Sequence, residues 1–150
     1  MPPITVSTDL DRPADVAFAY VTDPSRFPEW QAGVVSGRMD GAGPDASRGV
    51  GARCVTVRRI AGAERPSTSE LVRLDPPREW AVRGLDGPIR AAVDVTVAPL
   101  GPDRSTVTIA VDFVGHGIGR VLVPLLVRRQ ARTEMPANIA RLKERLEARE

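Results

Sequence analysis

One hundred and fifty residues form one ordinary domain, long enough to bury a core and too short to divide into two, and 42% hydrophobic with 27% charged residues excludes a disordered or fibrous chain. The net charge of +2 comes from twenty arginines and one lysine, Lys143, against nineteen acids. Those arginines are spread along the chain with short clusters at Arg58-Arg59 and at Arg128, Arg129 and Arg132, and with aromatics at 4% they make no stacking surface for nucleic acid.

A single cysteine, Cys54, and a single histidine, His116, exclude an internal disulfide and a cysteine-based zinc cluster, so neither metal nor cofactor is expected. No apolar run is long enough to span a bilayer, and stable membrane insertion is not expected. The start, Met1-Pro2-Pro3-Ile4, lacks the basic and apolar regions of a signal peptide, which points to a cytoplasmic protein.

Ile4, Val6, Thr8 and Leu10 alternate with Thr5, Ser7, Asp9 and Asp11, the period of a strand with one buried face. At Arg12-Pro13-Ala14-Asp15 the pattern changes. Proline suits the first turn of a helix, an acid follows it, and Val16, Ala17, Tyr20 and Val21 recur at helical spacing. Asp23-Pro24-Ser25 stops that helix and caps a second short one carrying Phe27 and Trp30.

Strand-like runs then recur at Val34 to Asp40, Gly51 to Ile60, Thr68 to Leu74, Glu79 to Leu85, Ile89 to Ala98 and Ser105 to Val114. Turn clusters separate them at Gly41 to Gly49, Ala61 to Pro66, Asp75-Pro76-Pro77, Asp86-Gly87-Pro88 and Pro99 to Asp103, which predicts an antiparallel meander. Ala91, Val93, Val95 and Val97, then Val107, Ile109, Val111 and Phe113, alternate with polar residues, so each strand has a dry face that needs a cover. The cover is a long helix from about Gly117 to the end, with Val121, Leu122, Leu125 and Leu126 and later Ile139, Leu142 and Leu146, kinked or broken near Pro124 and Pro136. Gly115-His116-Gly117-Ile118-Gly119, which lacks the lysine and the parallel context of a nucleotide loop, reads as a flexible hinge.

One strand, two short helices, six strands and a long helix is the helix-grip order, and the chain resembles the START-like superfamily that includes the polyketide cyclase/dehydrase group and the birch pollen allergen. The resemblance rests on Ile4 to Trp30, with the Pro13-Ala14-Asp15-Val16-Ala17-Phe18 helix start, the Asp23 turn and the closing Trp30, on Asp75-Pro76-Pro77, on Arg104-Ser105-Thr106-Val107-Thr108, and on the terminus Asn138 to Glu147. It covers essentially the whole chain. It implies a single α+β domain over residues 1–150, a curved seven-stranded antiparallel sheet wrapped around the C-terminal helix, with a cavity between them. Members of the superfamily bind lipids, polyketides, hormones or other apolar molecules, and some catalyse cyclisation, dehydration or hydrolysis. One fold hosting many activities leaves three readings open: a binder of a lipid, polyketide or aromatic molecule, the leading one; a polyketide cyclase/aromatase-like enzyme; and an interaction or ligand-sequestering self-resistance module. A monomer or weak homodimer is expected.

The candidate ligand wall is Phe27, Trp30, Trp80, Val93, Val95, Val111, Phe113, Leu122 and Leu126. Against it stands ordinary packing: Trp30 as a seal at the core edge, and Trp80 as a core contact whose neighbour Gly84 either leaves room for a ligand or does not. Acid–base candidates are few: Arg58, Glu70, Tyr20 and His116, with Cys54 read as a buried, inert thiol. If Cys54, Thr56 and Arg58 face inward, Arg58 pairs with Glu70 or meets a ligand anion. The opposite register, which buries Val55 and Val57, is preferred because exposed valines lose more than a buried arginine gains.

Overall fold

The computed structural model describes residues 2–40, 49–60 and 62–148. The chain runs β1 (Ile4–Leu10), α1 (Ala14–Val21), a 3-10 turn (Pro24–Arg26), α2 (Phe27–Trp30), β2 (Val34–Asp40), β3 (Arg53–Ile60), β4 (Ala63–Asp75), β5 (Glu79–Gly84), β6 (Ile89–Gly101), β7 (Arg104–Gly115), α3 (Gly119–Leu122), a π-helical turn (Val123–Val127) and α4 (Arg128–Ala148). Strands β2 to β7 form the expected meander, and β1 joins β7 to give one antiparallel sheet in the order β1-β7-β6-β5-β4-β3-β2. Consecutive strands β1 and β2 therefore lie at opposite edges, and the two short helices between them cross the concave side. This is the helix-grip fold.

The sheet curves because three strands carry an extra residue, between Val34 and Ser36, Leu71 and Arg73, and Pro99 and Gly101. The inserted side chains, Val35, Val72 and Leu100, all turn to solvent. Strand β4 begins earlier than the turn residues imply, with Pro66 opposite Val57. Its missing N–H is tolerated there because the pairing of β4 with β5 reaches only Ser69. Of the expected turns, residues 41–48 and 61 lie outside the described residues.

Helix α4 lays Met135, Ile139, Leu142 and Leu146 into a core that includes Leu10, Val21, Leu71, Val97 and Val107. Its C-terminal end is tied to the β1–α1 corner by Arg12, whose Nε donates to the Leu146 carbonyl at 2.7 Å and whose Nη2 donates to that of Glu147 at 3.2 Å. Those carbonyls have no partner inside the helix, and a cation is the group their partial negative charge favours. At the other end Arg128, 3% exposed, donates to Asp112 Oδ1 at 3.0 Å and to the Pro2 carbonyl.

The two prolines behave differently. Around Pro124 the helix widens into the π turn, whereas Pro136 sits on an exposed face of an unbroken α4, so no helix break occurs there. The glycine run at 115–119 is not a loose hinge either. A Cβ at Gly115 would overlap the Gly119 carbonyl and one at Gly119 the Pro88 carbonyl, and His116 N donates to Pro88 O at 2.8 Å. Glycine is needed here for close backbone approach, which fixes the start of the helix.

Leu142→Ala is expected to lose about 2–5 kcal/mol in urea titrations, and Gly119→Ala about 1–3 kcal/mol through overlap with Pro88. Leu100→Ala, at an exposed bulge, is expected to stay within about 0.5 kcal/mol of the parent.

Candidate functional site

Strand register sorts the concave face into rows. One row, Leu74, Trp80, Val95, Ile109 and Val6, runs from β4 to β1, and Trp80, Val95 and Ile109 within it are buried under the helices. The next row holds Leu71, Val82, Val93, Val111 and Ile4; its β4 and β5 members are buried and its β6 and β7 members half-buried. Beyond it come Ser69, Gly84, Ala91 and Phe113, all half-buried although they share the inward face. On β6 the alternation of buried Val95 and Val97 with exposed Thr96 and Ala98 gives way to uniform half-burial from Ile89 to Asp94. Toward Ala91 and Phe113 the inward face is therefore less completely covered than at Val95 and Ile109.

The helix crosses that face. Val123 is buried and its turn packs on β7, while Glu134 reaches the electrostatic neighbourhood of Arg58 on β3. Eleven residues of helix advance roughly 16 Å, close to the roughly 19 Å between strands four places apart. Glu134, Asn138 and Arg141 form one helical stripe. Asn138 Oδ1 accepts from Ala32 N at 3.1 Å, and Arg141 Nη1 donates to the Trp30 carbonyl at 3.1 Å. This stripe holds the end of α2 in place, so that Gln31 Oε1 accepts from Arg58 Nη2 at 3.3 Å.

Arg58 thus faces inward, which reverses the preferred register. Cys54 belongs to the core and pairs with Met39 and Ser69, whereas Val55 and Val57 lie on the outer face and are half-covered beside Thr68 and Pro66. Weighing two valines against one arginine omits Cys54 and Met39, which are carried inward by the same register. Withdrawal from water lowers the Arg58 pKa below its ordinary value, opposed by the charge of Glu134 and by Cys54. Burial pushes the Cys54 thiol up to about 11, against the pull of Arg58.

The other acid–base candidates do not converge on Arg58. Glu70 is on the outer face, opposite Arg53 and Arg83, so the pair with Arg58 does not form. The Tyr20 hydroxyl is buried and donates to Glu29 Oε1 at 2.9 Å. His116 is exposed beside a recess of about 160 Å³ lined by Arg83, Gly84, Arg90, Ala91, Ala92 and Val114.

Among the candidate wall residues, Phe27, Trp30 and Trp80 are buried together. Phe27 meets both tryptophans edge to face, with centroids 5.7 Å from Trp30 and 6.4 Å from Trp80. Val95 is buried beside them, Val93 and Val111 are half-buried and packed against the core, and Phe113 is half-buried. Leu126 is exposed, and the Leu122 side chain lies outside what is described. Gly84 does not leave room for a ligand, because the backbone of Arg90 and Ala91 would meet a Cβ there at 3.1 Å.

Thr56, Ser67 and Ser69, the polar side chains that share the inward face with Arg58, together with its partner Gln31, are what the expectation of an apolar lining misses. Two signals carry them: once Arg58 is inward, the period of two places Thr56 beside it and Ser67 and Ser69 across β4, and the spacing of residues 134, 138 and 141 marks a polar helix stripe.

Comparison with known proteins agrees with this architecture. The model of a family described as polyketide cyclase / dehydrase and lipid transport matches residues 1–147. No curated protein matches in sequence. Among solved structures, the ZhuI aromatase/cyclase from Streptomyces sp. R1128 is similar with 16% identity and a TM-score of 0.77, over 97% of this chain and 93% of that one. A START superfamily protein from Mycobacterium smegmatis gives 15% identity and a TM-score of 0.73 over 99% of both chains. The di-domain aromatase/cyclase BexL of the BE-7585A biosynthetic pathway gives 18% and 0.75 over 98% of this chain, which spans 47% of the di-domain's length. At these identities the likeness is one of fold. No helix among the described residues is long and apolar enough to cross a membrane.

The raised thiol pKa sets a pH test. Between about 9 and 11 the unfolded chain loses the Cys54 proton while the native chain keeps it, so this group's contribution to stability falls as pH rises through that window and is constant below it. Cys54→Ala is expected to remove that part of the slope, measured by urea titration at stepped pH. Native protein at pH 8 is expected to react with a thiol reagent only as it unfolds.

Proposed function

The chain belongs to the polyketide cyclase / dehydrase and lipid transport family, and from that footing we propose that it binds an amphipathic small molecule of lipid, polyketide or aromatic type in the cleft between sheet and C-terminal helix. The observation that carries this reading is that Ser69, Ala91 and Phe113 face inward yet are only half-buried, beside a helix pinned at both ends. Apolar surface on Val93, Val111 and Phe113 supplies affinity for the body of the ligand. Arg58, partly desolvated and held by Gln31, offers a charge-assisted hydrogen bond to a carboxylate, phenolate or carbonyl at the other end. In this reading the tryptophans act as a packed end wall rather than as a lid.

One observation favours a second reading, a cyclase/aromatase-type enzyme. Arg58 and Glu134 bring a cation and a carboxylate to the same polar wall from different elements. A guanidinium there stabilises negative charge as it develops on a carbonyl oxygen, and a carboxylate accepts a proton from the neighbouring carbon.

Titrating an amide-labelled sample with aromatic carboxylates and fatty acids is expected to shift Thr56, Ser69, Val93, Val111 and Phe113. Arg58→Gln is expected to weaken a carboxylate probe about tenfold while leaving its neutral amide analogue within about twofold. Shifts that are absent, or confined to the outer face, overturn the binding reading. Release of a cyclised product from a poly-β-ketone chain, lost in Glu134→Gln with binding retained, separates enzyme from binder.

A further inference from the structure

The large apolar side chains left in solvent are not scattered evenly. Val35, Val72 and Leu100 are accounted for by the strand bulges. Val16 and Val50 stand singly, and the remaining five fall within thirteen residues at and after the end of β7: Val114, Ile118, Val121, Leu125 and Leu126, each between 52% and 67% exposed. Fixed backbone holds them there, since Gly115 and Gly119 are packed against each other and against Pro88, and Val123 and Arg128 on the same segment are buried. An exposed apolar cluster on a fixed scaffold is the signature of an interaction surface.

Charge selects its partner. From residue 113 to residue 133 the sequence contains no acid, and it carries Arg120, Arg128, Arg129 and Arg132. Arg128 is spent on Asp112, but Arg120, Arg129 and Arg132 are exposed, with no carboxylate partner among the described residues. Next to the cluster, and sharing Val114 with it, lies the recess of about 160 Å³ that contains Arg83, Arg90 and His116. Asp94 neutralises Arg83 at 3.0 Å, whereas among the described residues Arg90 has the Gly87 carbonyl, 3.3 Å from its Nε, and no carboxylate. A second copy of this chain would set these cations against one another. A surface offering hydrocarbon beneath fixed negative charge meets both halves of the patch at once.

We propose that the segment from Val114 to Arg132 docks peripherally on an anionic lipid bilayer, with Ile118, Val121, Leu125 and Leu126 entering the interface and Arg120, Arg129 and Arg132 meeting the headgroup phosphates. This is adsorption, not spanning, and it does not depend on what occupies the cleft.

The test is flotation of the full chain with vesicles of phosphatidylcholine alone and of phosphatidylcholine mixed with phosphatidylglycerol. Binding is expected on the mixed vesicles, weakening as salt rises, and close to absent on phosphatidylcholine. Leu125→Ser with Leu126→Ser is expected to lower apparent affinity about tenfold or more, and Arg129→Gln with Arg132→Gln to lower it about tenfold and flatten the salt dependence. Both double variants are expected to melt within a few degrees of the parent because the altered side chains are exposed. Arg38→Gln with Arg73→Gln, on other strands, serves as the charge control. No binding to mixed vesicles, binding indifferent to the Leu125 and Leu126 changes, or equal loss in the control overturns the proposal. So does a parent dimer that these leucine changes convert to monomer without any vesicle binding, which would make the patch a contact between copies.

Discussion

A single α-helix about 10 Å across has to cover the concave side of a seven-stranded sheet whose strands span roughly 34 Å. Curvature from three bulges, and the two short helices thrown across from β1 to β2, close part of that gap, and the remainder stays open. The helix that lies over the rest is fastened at its ends. Arg12 holds the last carbonyls of α4, Arg128 ties its beginning to β7 and the N-terminal residues, and the glycines at 115 and 119 let the chain turn under Pro88 with no freedom to slide.

The division of labour along the sheet follows from the same geometry. Where the C-terminal half of α4 and α1 lie over the strands, inward residues are apolar and buried, and the aromatic trio of Phe27, Trp30 and Trp80 closes the end. Where the first half of the helix bridges β7 to β3, inward residues are apolar on β6 and β7 and small or polar on β3 and β4. Arg58 is tolerated there because it donates to Gln31 and the charge of Glu134 favours its charged form; an arginine buried with no such compensation would cost several kcal/mol. The cleft is thereby apolar at β6 and β7 and polar at β3 and β4, an asymmetry suited to a molecule with two unlike ends.

The exposed segment beyond β7 belongs to the same design problem. The π turn at Pro124 widens the helix and presents consecutive leucines, Leu125 and Leu126, to solvent in a stretch free of acids. Such a surface is costly in isolation and is retained where something covers it.

Fold class, element order and most strand limits were legible in the sequence because they depend on local quantities: period-two alternation on β1, β6 and β7, proline and aspartate at helix starts, and glycine and proline between strands. These are properties of neighbouring residues, and chain order alone then leads to an antiparallel meander. For Cys54 the sequence pointed two ways, to a buried inert thiol and to a β3 register that turned it outward, and the structure decided for burial. The sequence did not settle the face of β3, because a one-residue shift exchanges Arg58 for Val57 at almost equal local cost. The choice was made by Cys54, Met39 and Ser69 across two pairings and by Glu134 more than seventy residues away. Likewise, only the tertiary structure placed Glu70 outside, gave Gly84 to the backbone of β6 and turned a glycine-rich hinge into a rigid corner. Each of these depends on which distant backbone arrives within a few ångströms, and that distance is written in no local pattern.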